Sequence, residues 1–367
     1  MFKSVFKDKK ILITGHTGFK GSWLSVWLSS LGANVFGLSV SEVSKPSNYI
    51  ASCISDIVED FKFDIRDHEN VKSIVKKIQP DFIFHLAAQS LVKLSYINPV
   101  ETYSTNALGT INILNSLRNL EKKVIAIIIT SDKAYDNVEW VWGYRETDTL
   151  GGKDPYSASK GMAELAIRSF VHSYFNSKDS NVRIGIARAG NVIGGGDWAL
   201  DRIVPDCILA WANNQTVEIR KPFATRPWQH VLEPLSGYLT LAKELSSNIN
   251  FHGQAYNFGP ENNQNYNVSE LINEMSKYWN NIKWNDVSTS QKHVHEAGLL
   301  KLNCDKALLD LNWKSSLNFQ ETVKMTVKWY KEFYQKKPQS MRDFSIKQIQ
   351  KYTMIANKNN TSWAKND

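Results

Sequence analysis

Cysteine is scarce in this chain: Cys53, Cys207 and Cys304 are the only three among 367 residues, widely spaced and outside any paired Cys or Cys/His motif. The odd number and the spacing argue against a disulfide framework and a cysteine-based zinc or redox centre, so reduced thiols and no metal site are expected. Long apolar runs are missing as well. The longest, such as VIAIII at 124–129, fall far short of the roughly 20 residues that cross a bilayer, and no membrane partner is expected. The first residues, MFKSVFKDKK, are basic, but the apolar stretch after them is four residues long and runs into TGHTG. Without a secretory h-region the reading is a cytoplasmic protein. Excess charge of one sign is confined to one end: of the formal net charge of +8, residues 331–367 supply +5, with eight Lys/Arg against three Asp/Glu. The nearly neutral remainder gives no reason to expect a nucleic-acid partner, and 336–367 read as a basic, solvated, partly frayed tail.

From residue 10 to about 190, short apolar runs (ILIT, NVFGLSV, DFIFHLAA, VIAIIIT, RIGIAR) alternate with amphipathic stretches at 20–31, 100–117 and 156–175. Continuous apolar strands separated by helices describe a parallel sheet covered on both faces, an α/β doubly wound fold of the Rossmann kind. Asn98–Pro99 and Asp154–Pro155 read as helix caps with a first-turn proline, and Asn267 with Glu270 has capping-box spacing. After 190, Gly, Trp, Asn and Pro accumulate. The predicted organisation is a dinucleotide-binding domain at 1–190 that also receives a strand near 255–259, a smaller C-terminal substrate-binding lobe at 191–335, and the tail at 336–367.

TGHTGFKG places Gly15, Gly18 and Gly21 as GxxGxxG between a predicted strand and a predicted helix. The first glycine permits the turn, the second lets backbone approach a pyrophosphate, and the third allows close packing of helix on strand. The strand that would end in an acidic ribose clamp ends in Ser39, with Glu42 three residues late and no arginine close by. With no partner for a 2′-phosphate, NAD is favoured over NADP. Tyr156 and Lys160 stand at i and i+4, on one face of a helix. A neighbouring ammonium and an oxidised nicotinamide would lower the phenol's pKa and fit Tyr156 to take a proton from a sugar hydroxyl. Ser131, Asp132 and Lys133 follow VIAIIIT, at the carboxyl end of a core strand where ligands of open α/β sheets bind; a simple Asp-capped turn is the alternative there.

GxxGxxG, HLAAQ at 85–89, Asn106 inside STNALGT, the serine after the central strand and YxxxK together resemble the extended short-chain dehydrogenase/reductase family, most members of which act on nucleotide-sugars. The resemblance spans about residues 8–335. The longer strings GHTGFKGSWL, TSDKAYDN, GNVIGGGDWALDRIVPD and RPWQHVLEPLSGYL resemble its CDP-glucose 4,6-dehydratase branch. That resemblance implies an NAD-dependent hydro-lyase acting on CDP-glucose for 3,6-dideoxyhexose and surface-polysaccharide synthesis, with a 4-epimerase or a dehydratase of another nucleotide-hexose as the alternatives. It implies Tyr156 as base at the C4 hydroxyl, Lys160 on the ribose, Asp132 as acid, and Lys133 where better-known dTDP-glucose relatives carry a glutamate base. It also implies cofactor contacts from Thr17, Phe19, Lys20 and Trp23 at the turn, Asp64 and Ile65 at the adenine, and Leu86, Ala87, Ala88, Gln89 and Asn106 toward the nicotinamide. Gln89, Asn191, Arg202, Arg226 and Trp228 are implied on the substrate, and a homodimer pairing helices 98–117 and 156–175 is expected.

Overall fold

The computed structural model describes residues 1–42, 44–176, 180–261, 264–288 and 299–365. Seven strands form one all-parallel sheet: β1 (Lys10–Thr14), β2 (Asn34–Ser39), β3 (Glu59–Lys62), β4 (Phe82–His85), β5 (Val124–Ile129), β6 (Val182–Arg188) and β7 (Ala255–Asn257), in the spatial order 7-6-5-4-1-2-3. The run VIAIII explains why both faces are covered. Its side chains alternate with the pleat, so that Val124, Ala126 and Ile128 join one apolar cluster while Ile125, Ile127 and Ile129 join the other. The strand order reverses between β1 and β4, and the crevice at their carboxyl ends is where this topology receives ligands.

Among the helices are α1 (Phe19–Ser30), α2 (His68–Ile78), α3 (Gly109–Leu117), α4 (Pro155–Tyr174), α5 (Ile203–Ala212), α6 (Leu232–Ser247), α7 (Phe319–Lys331) and α8 (Arg342–Lys358), of which α1, α4 and α5 line this crevice. Asp154 caps α4 by accepting from Ser157 N, with Pro155 in the first turn. Asn98 also stands at an N-cap before Pro99, yet its side chain makes no cap bond. Asn267 and Glu270 form a reciprocal capping box. α6 lies in the sequence range expected for the smaller lobe but packs on the sheet: a Cβ on Gly185 of β6 would meet Leu245 at 2.7 Å and Leu241 at 2.9 Å.

The C-terminal segment departs from the sequence reading. Residues 336–367, expected as a solvated and frayed tail, are folded wherever described. α8 buries Ile349, Tyr352 and Ala356, and Trp363 stacks on Phe2 at 5.1 Å and on Tyr352 at 5.5 Å. The Tyr352 hydroxyl donates to Glu233 Oε2 at 2.7 Å. Net charge misleads here because the lysines occupy the outer face of a helix whose inner face is apolar.

Candidate active site

A cavity of about 1190 Å³ runs from the glycine turn to the catalytic residues and on beneath α5. At its floor, Gly15 has φ +75°, and a Cβ there would lie 2.7 Å from Ala87 N, so the turn and the segment just after β4 are in direct backbone contact. A Cβ on Gly21 would stand 2.2 Å from Gly15 O, which brings α1 against the turn. Gly18 is the N-cap of α1 and provides no side-chain cap. The first-turn N–H groups, on Phe19, Lys20 and Gly21 lining the cavity, therefore have no capping side chain to satisfy them. A dinucleotide pyrophosphate fits this cradle: bare backbone, the positive end of a 12-residue helix and no Cβ in the way.

Around the cradle, Thr17 Oγ1 lies 2.7 Å from Ser39 Oγ and donates to Ser41 O at 2.7 Å. Asp64 accepts from Arg66 N at 2.8 Å and from its guanidinium at 2.9 and 2.6 Å, and this pairing holds the carboxyl below its ordinary value. Ile65, Leu86, Ala87 and Ala88 line the same wall. Gln89 lines it too, but its amide is engaged locally: Nε2 donates to Leu91 O and Thr102 Oγ1, and Oε1 accepts from Leu91 N. Asn106 is outside the lining. It sits in a π-helical turn, Ser104–Leu108, accepts from Gln89 N at 2.8 Å, and donates to Gln89 O and Ser159 Oγ at 3.0 and 2.8 Å. Its place is behind the wall, tying it to α4.

Trp23, expected on the cofactor, is a correction. It is fully buried, and its indole donates to Gly195 O at 2.8 Å, because the inner face of α1 points into the core. Lys20 is a second. Its backbone is in the cradle, but its ammonium reaches the catalytic end and donates to Tyr238 OH at 3.5 Å. Burial pushes it down to about 8, with Arg202 and Lys160 adding to the fall and Asp132 and Asp197 opposing it.

At the catalytic end Ser131 Oγ donates to Asp132 Oδ1 at 2.9 Å and accepts from Lys133 N at 3.2 Å. Asp132 is buried against Gly190, where a Cβ would stand 1.8 Å from Oδ2, so only glycine leaves room for this carboxyl. Lys133 is half-buried on the same cavity. Tyr156 and Lys160 face it from α4, both buried. Burial pushes the Tyr156 phenol up to about 12 and Asp132 adds to the rise, while the Ser131 hydrogen bond and Arg202 pull it down. Burial pushes Lys160 down to about 8, and Glu164, one turn further along α4, opposes. Glu164 is itself held by Thr130 Oγ1 at 2.7 Å and by a two-pronged ion pair with Arg188, all three buried beneath the site.

Toward α5, Arg202 pairs with Asp197 at 2.8 Å, the contact that most raises its pKa, and its Nη2 is 3.4 Å from Ser90 Oγ. Asn191 lines the cavity with φ +50°, an uncommon backbone for a non-glycine residue. Arg226 also lines it, donating to Thr225 O at 2.8 Å. Trp228 shows little surface; its indole donates to Tyr266 O at 3.2 Å. Gly190 and Asp197 are the site residues that reading the sequence missed. Both stand in the string GNVIGGGDWALDRIVPD; Asp197 meets Arg202 five residues on, whereas the partner of Gly190, Asp132, is distant in the chain.

The family model for GDP-mannose 4,6 dehydratase matches residues 12–326. The chain is 44% identical over 333 residues to a CDP-glucose 4,6-dehydratase of Salmonella typhimurium, covering 90% of this chain and 92% of that one. It is 24% identical to a CDP-paratose 2-epimerase of Salmonella typhi over 87% of this chain and 98% of that one. Among solved structures, an epimerase from Methanothermobacter thermautotrophicus superposes with a TM-score of 0.77 at 24% identity, over 93% of this chain and 96% of that one. The DesIV dTDP-glucose 4,6-dehydratase of Streptomyces venezuelae, solved with NAD bound, gives 0.72 at 20%, over 88% and 97%. With the family model covering most of its length, the chain belongs to the GDP-mannose 4,6-dehydratase family of extended short-chain dehydrogenases/reductases.

Proposed function

We propose that the protein is an NAD-dependent nucleotide-sugar 4,6-dehydratase whose substrate is CDP-glucose, the activity named for the Salmonella typhimurium relative. The observation that carries the reading is a carboxyl, Asp132, that shares one cavity with Tyr156 and Lys160, continuous with a helix-capped glycine cradle. A 4-epimerase needs the tyrosine and lysine but not that acid. The residues that would hold NAD are Gly15, Thr17, Gly18, Phe19 and Gly21 at the pyrophosphate, Asp64 and Ile65 at the adenine, and Lys160 at the nicotinamide ribose. Held there, NAD would supply hydride chemistry, accepting a hydride from C4 of the sugar and giving it back at C6.

The residues then divide the proton work. Tyr156 takes the C4 hydroxyl proton. The resulting C4 ketone acidifies the C5 hydrogen. Lys133 is the candidate base; C5–H breaks, its electrons form the enolate, and the C6–O bond breaks as Asp132 protonates the leaving hydroxyl. One water departs, and the proton held by the base goes back to C5. Ser131 steers both neighbours through its bonds to Asp132 and its pull on Tyr156. Arg202 and Arg226, with Asn191, face the substrate diphosphate.

A panel of nucleoside-diphosphate hexoses followed by the keto-sugar chromophore tests this, with CDP-glucose expected to react fastest. Tyr156→Phe should abolish C4 oxidation; Asp132→Asn should reduce the cofactor and stall before water leaves. Full turnover in either variant removes that role. A homodimer belongs to the same proposal. Val100, 76% exposed, and Leu165, 58% exposed, together with Leu108 and Met162, present apolar surface from the helical segments expected to pair. Light scattering at the mass of one chain would refute it.

A further inference from the structure

The cavity has a second compartment beyond the catalytic end. From the N-terminal boundary of α5, Arg202, Asp206 and Leu209 line it at i, i+4 and i+7, one face of the helix. At 1.5 Å per residue, Asp206 lies about 6 Å and Leu209 about 10 Å along the axis from Arg202. Arg202 belongs to the catalytic end, since its charge acts on Tyr156. Asp206 answers to other charges, those of Asp201, Arg220 and Lys93. Across from α5, the strand Val217–Ile219 lines the same space with Val217 and Ile219. The compartment thus sets a half-buried carboxylate beside apolar Leu209, Val217 and Ile219, with the charged Asp201, Glu218, Arg220 and Lys221 also on its lining, a place for a flat heterocycle presenting a hydrogen-bond donor.

A nucleotide-sugar places its hexose, diphosphate, ribose and base in that order. With the hexose between Tyr156 and Asp132 and the diphosphate at Arg202, the base extends along α5. Along its pairing edge cytosine carries the N4 amine, a donor, where uracil and thymine carry the O4 acceptor, and a bare N3 where they carry N3–H. We propose that Asp206 selects cytosine nucleotides: its carboxylate accepts from the N4 amine of a base lying between Leu209 and the Val217–Ile219 strand. This assignment rests on the nucleotide-sugar reading above and identifies what makes that site specific for its base.

Burial, with Asp201, pushes Asp206 up to about 6, against Arg220 and Lys93. At pH 7.5 the group is therefore ionised and can only accept. Opposite uracil or thymine it would face the O4 lone pairs with no proton between them. Such a mismatch discriminates between bases by about 10- to 100-fold.

The test is calorimetric titration of CDP and of UDP into the full-length protein with NAD present, for wild type, Asp206→Asn and Asp206→Glu. Wild type should favour CDP by about 10- to 100-fold. Asp206→Asn, whose amide both donates and accepts, should bring the two affinities within a few fold of each other. Asp206→Glu, still acceptor only, should keep the preference for CDP. Should Asp206→Asn fail to fold by circular dichroism, Asp206→Ala is titrated in its place, with the same loss of preference expected. An unchanged CDP/UDP ratio in the neutral variant overturns the assignment, as does equal weakening of both nucleotides, the mark of a ribose or phosphate contact. Wild type binding both nucleotides alike overturns Asp206 as selector and leaves the nucleotide-sugar reading standing; wild type binding neither refutes that reading.

Discussion

Gly190→Ala isolates the placement of one carboxyl. The added methyl would fall 1.8 Å from Asp132 Oδ2, 2.2 Å from Cγ and 2.6 Å from Oδ1. Even a tight contact of 3.0 Å requires the nearest oxygen to retreat by about 1.2 Å. The atoms struck belong to the end of a side chain, so the carboxyl rotates and the backbone stays, and Asp132 gives up the 2.9 Å hydrogen bond from Ser131. A misplacement of about 1 Å at a reacting group costs about 100-fold in rate, equivalent to about 2.7 kcal/mol. The expected variant therefore melts within a few degrees of wild type, reduces bound NAD in a single turnover at a rate within a few fold of wild type, and forms the dehydrated product about 100-fold more slowly. The assay is the absorbance of reduced nicotinamide set beside keto-sugar formation in the same sample. Full product formation would show that the carboxyl is not required where the structure puts it. Equal loss of both signals would show that Asp132 serves the oxidation and not the loss of water.

Other outcomes follow from the buried polar groups and the C-terminal segment. Glu164→Gln leaves the Arg188 guanidinium buried without its carboxylate and should cost about 3–5 kcal/mol in urea unfolding; an unchanged midpoint would contradict the pair's burial. His85 and His230 are each held down to about 3 by burial, His85 also by Lys160, against an ordinary 6.5. Because the unfolded chain takes up these protons first, their contribution is complete above pH 6.5 and is lost as pH falls from there toward 3, at up to about 1.4 kcal/mol per pH unit for each histidine. Urea unfolding of wild type and of His85→Asn at pH 7 and pH 5 isolates the share of His85, which the variant should lose, up to about 1.4 kcal/mol per pH unit. Ending the chain after Gln339 removes Tyr352 and Trp363 from contact with Trp27 and Phe2, a loss of about 2–3 kcal/mol for each buried ring. The shortened protein should lack a cooperative melt by circular dichroism.

What the sequence by itself determined is whatever neighbours along the chain can encode. The alternating faces of VIAIII, the GxxGxxG turn, the i and i+4 pairing of Tyr156 with Lys160 and the Asn267–Glu270 cap follow from strand and helix periods and from backbone sterics, and the folded protein has each of them. The return of 255–257 to the sheet was legible from its apolar run. Only the tertiary structure decided where long side chains end and which apolar faces close on each other. Lys20 starts in the phosphate cradle and finishes at Tyr238, Trp23 turns from the cofactor into the core, and Gly190 acquires its meaning from Asp132 on another strand's end. The basic tail folds because Tyr352 and Trp363 find Trp27 and Phe2 from the other end of the chain. Burial also raises the bare Tyr156 phenol, since desolvation is set by everything packed around it, which neighbours along the chain do not encode.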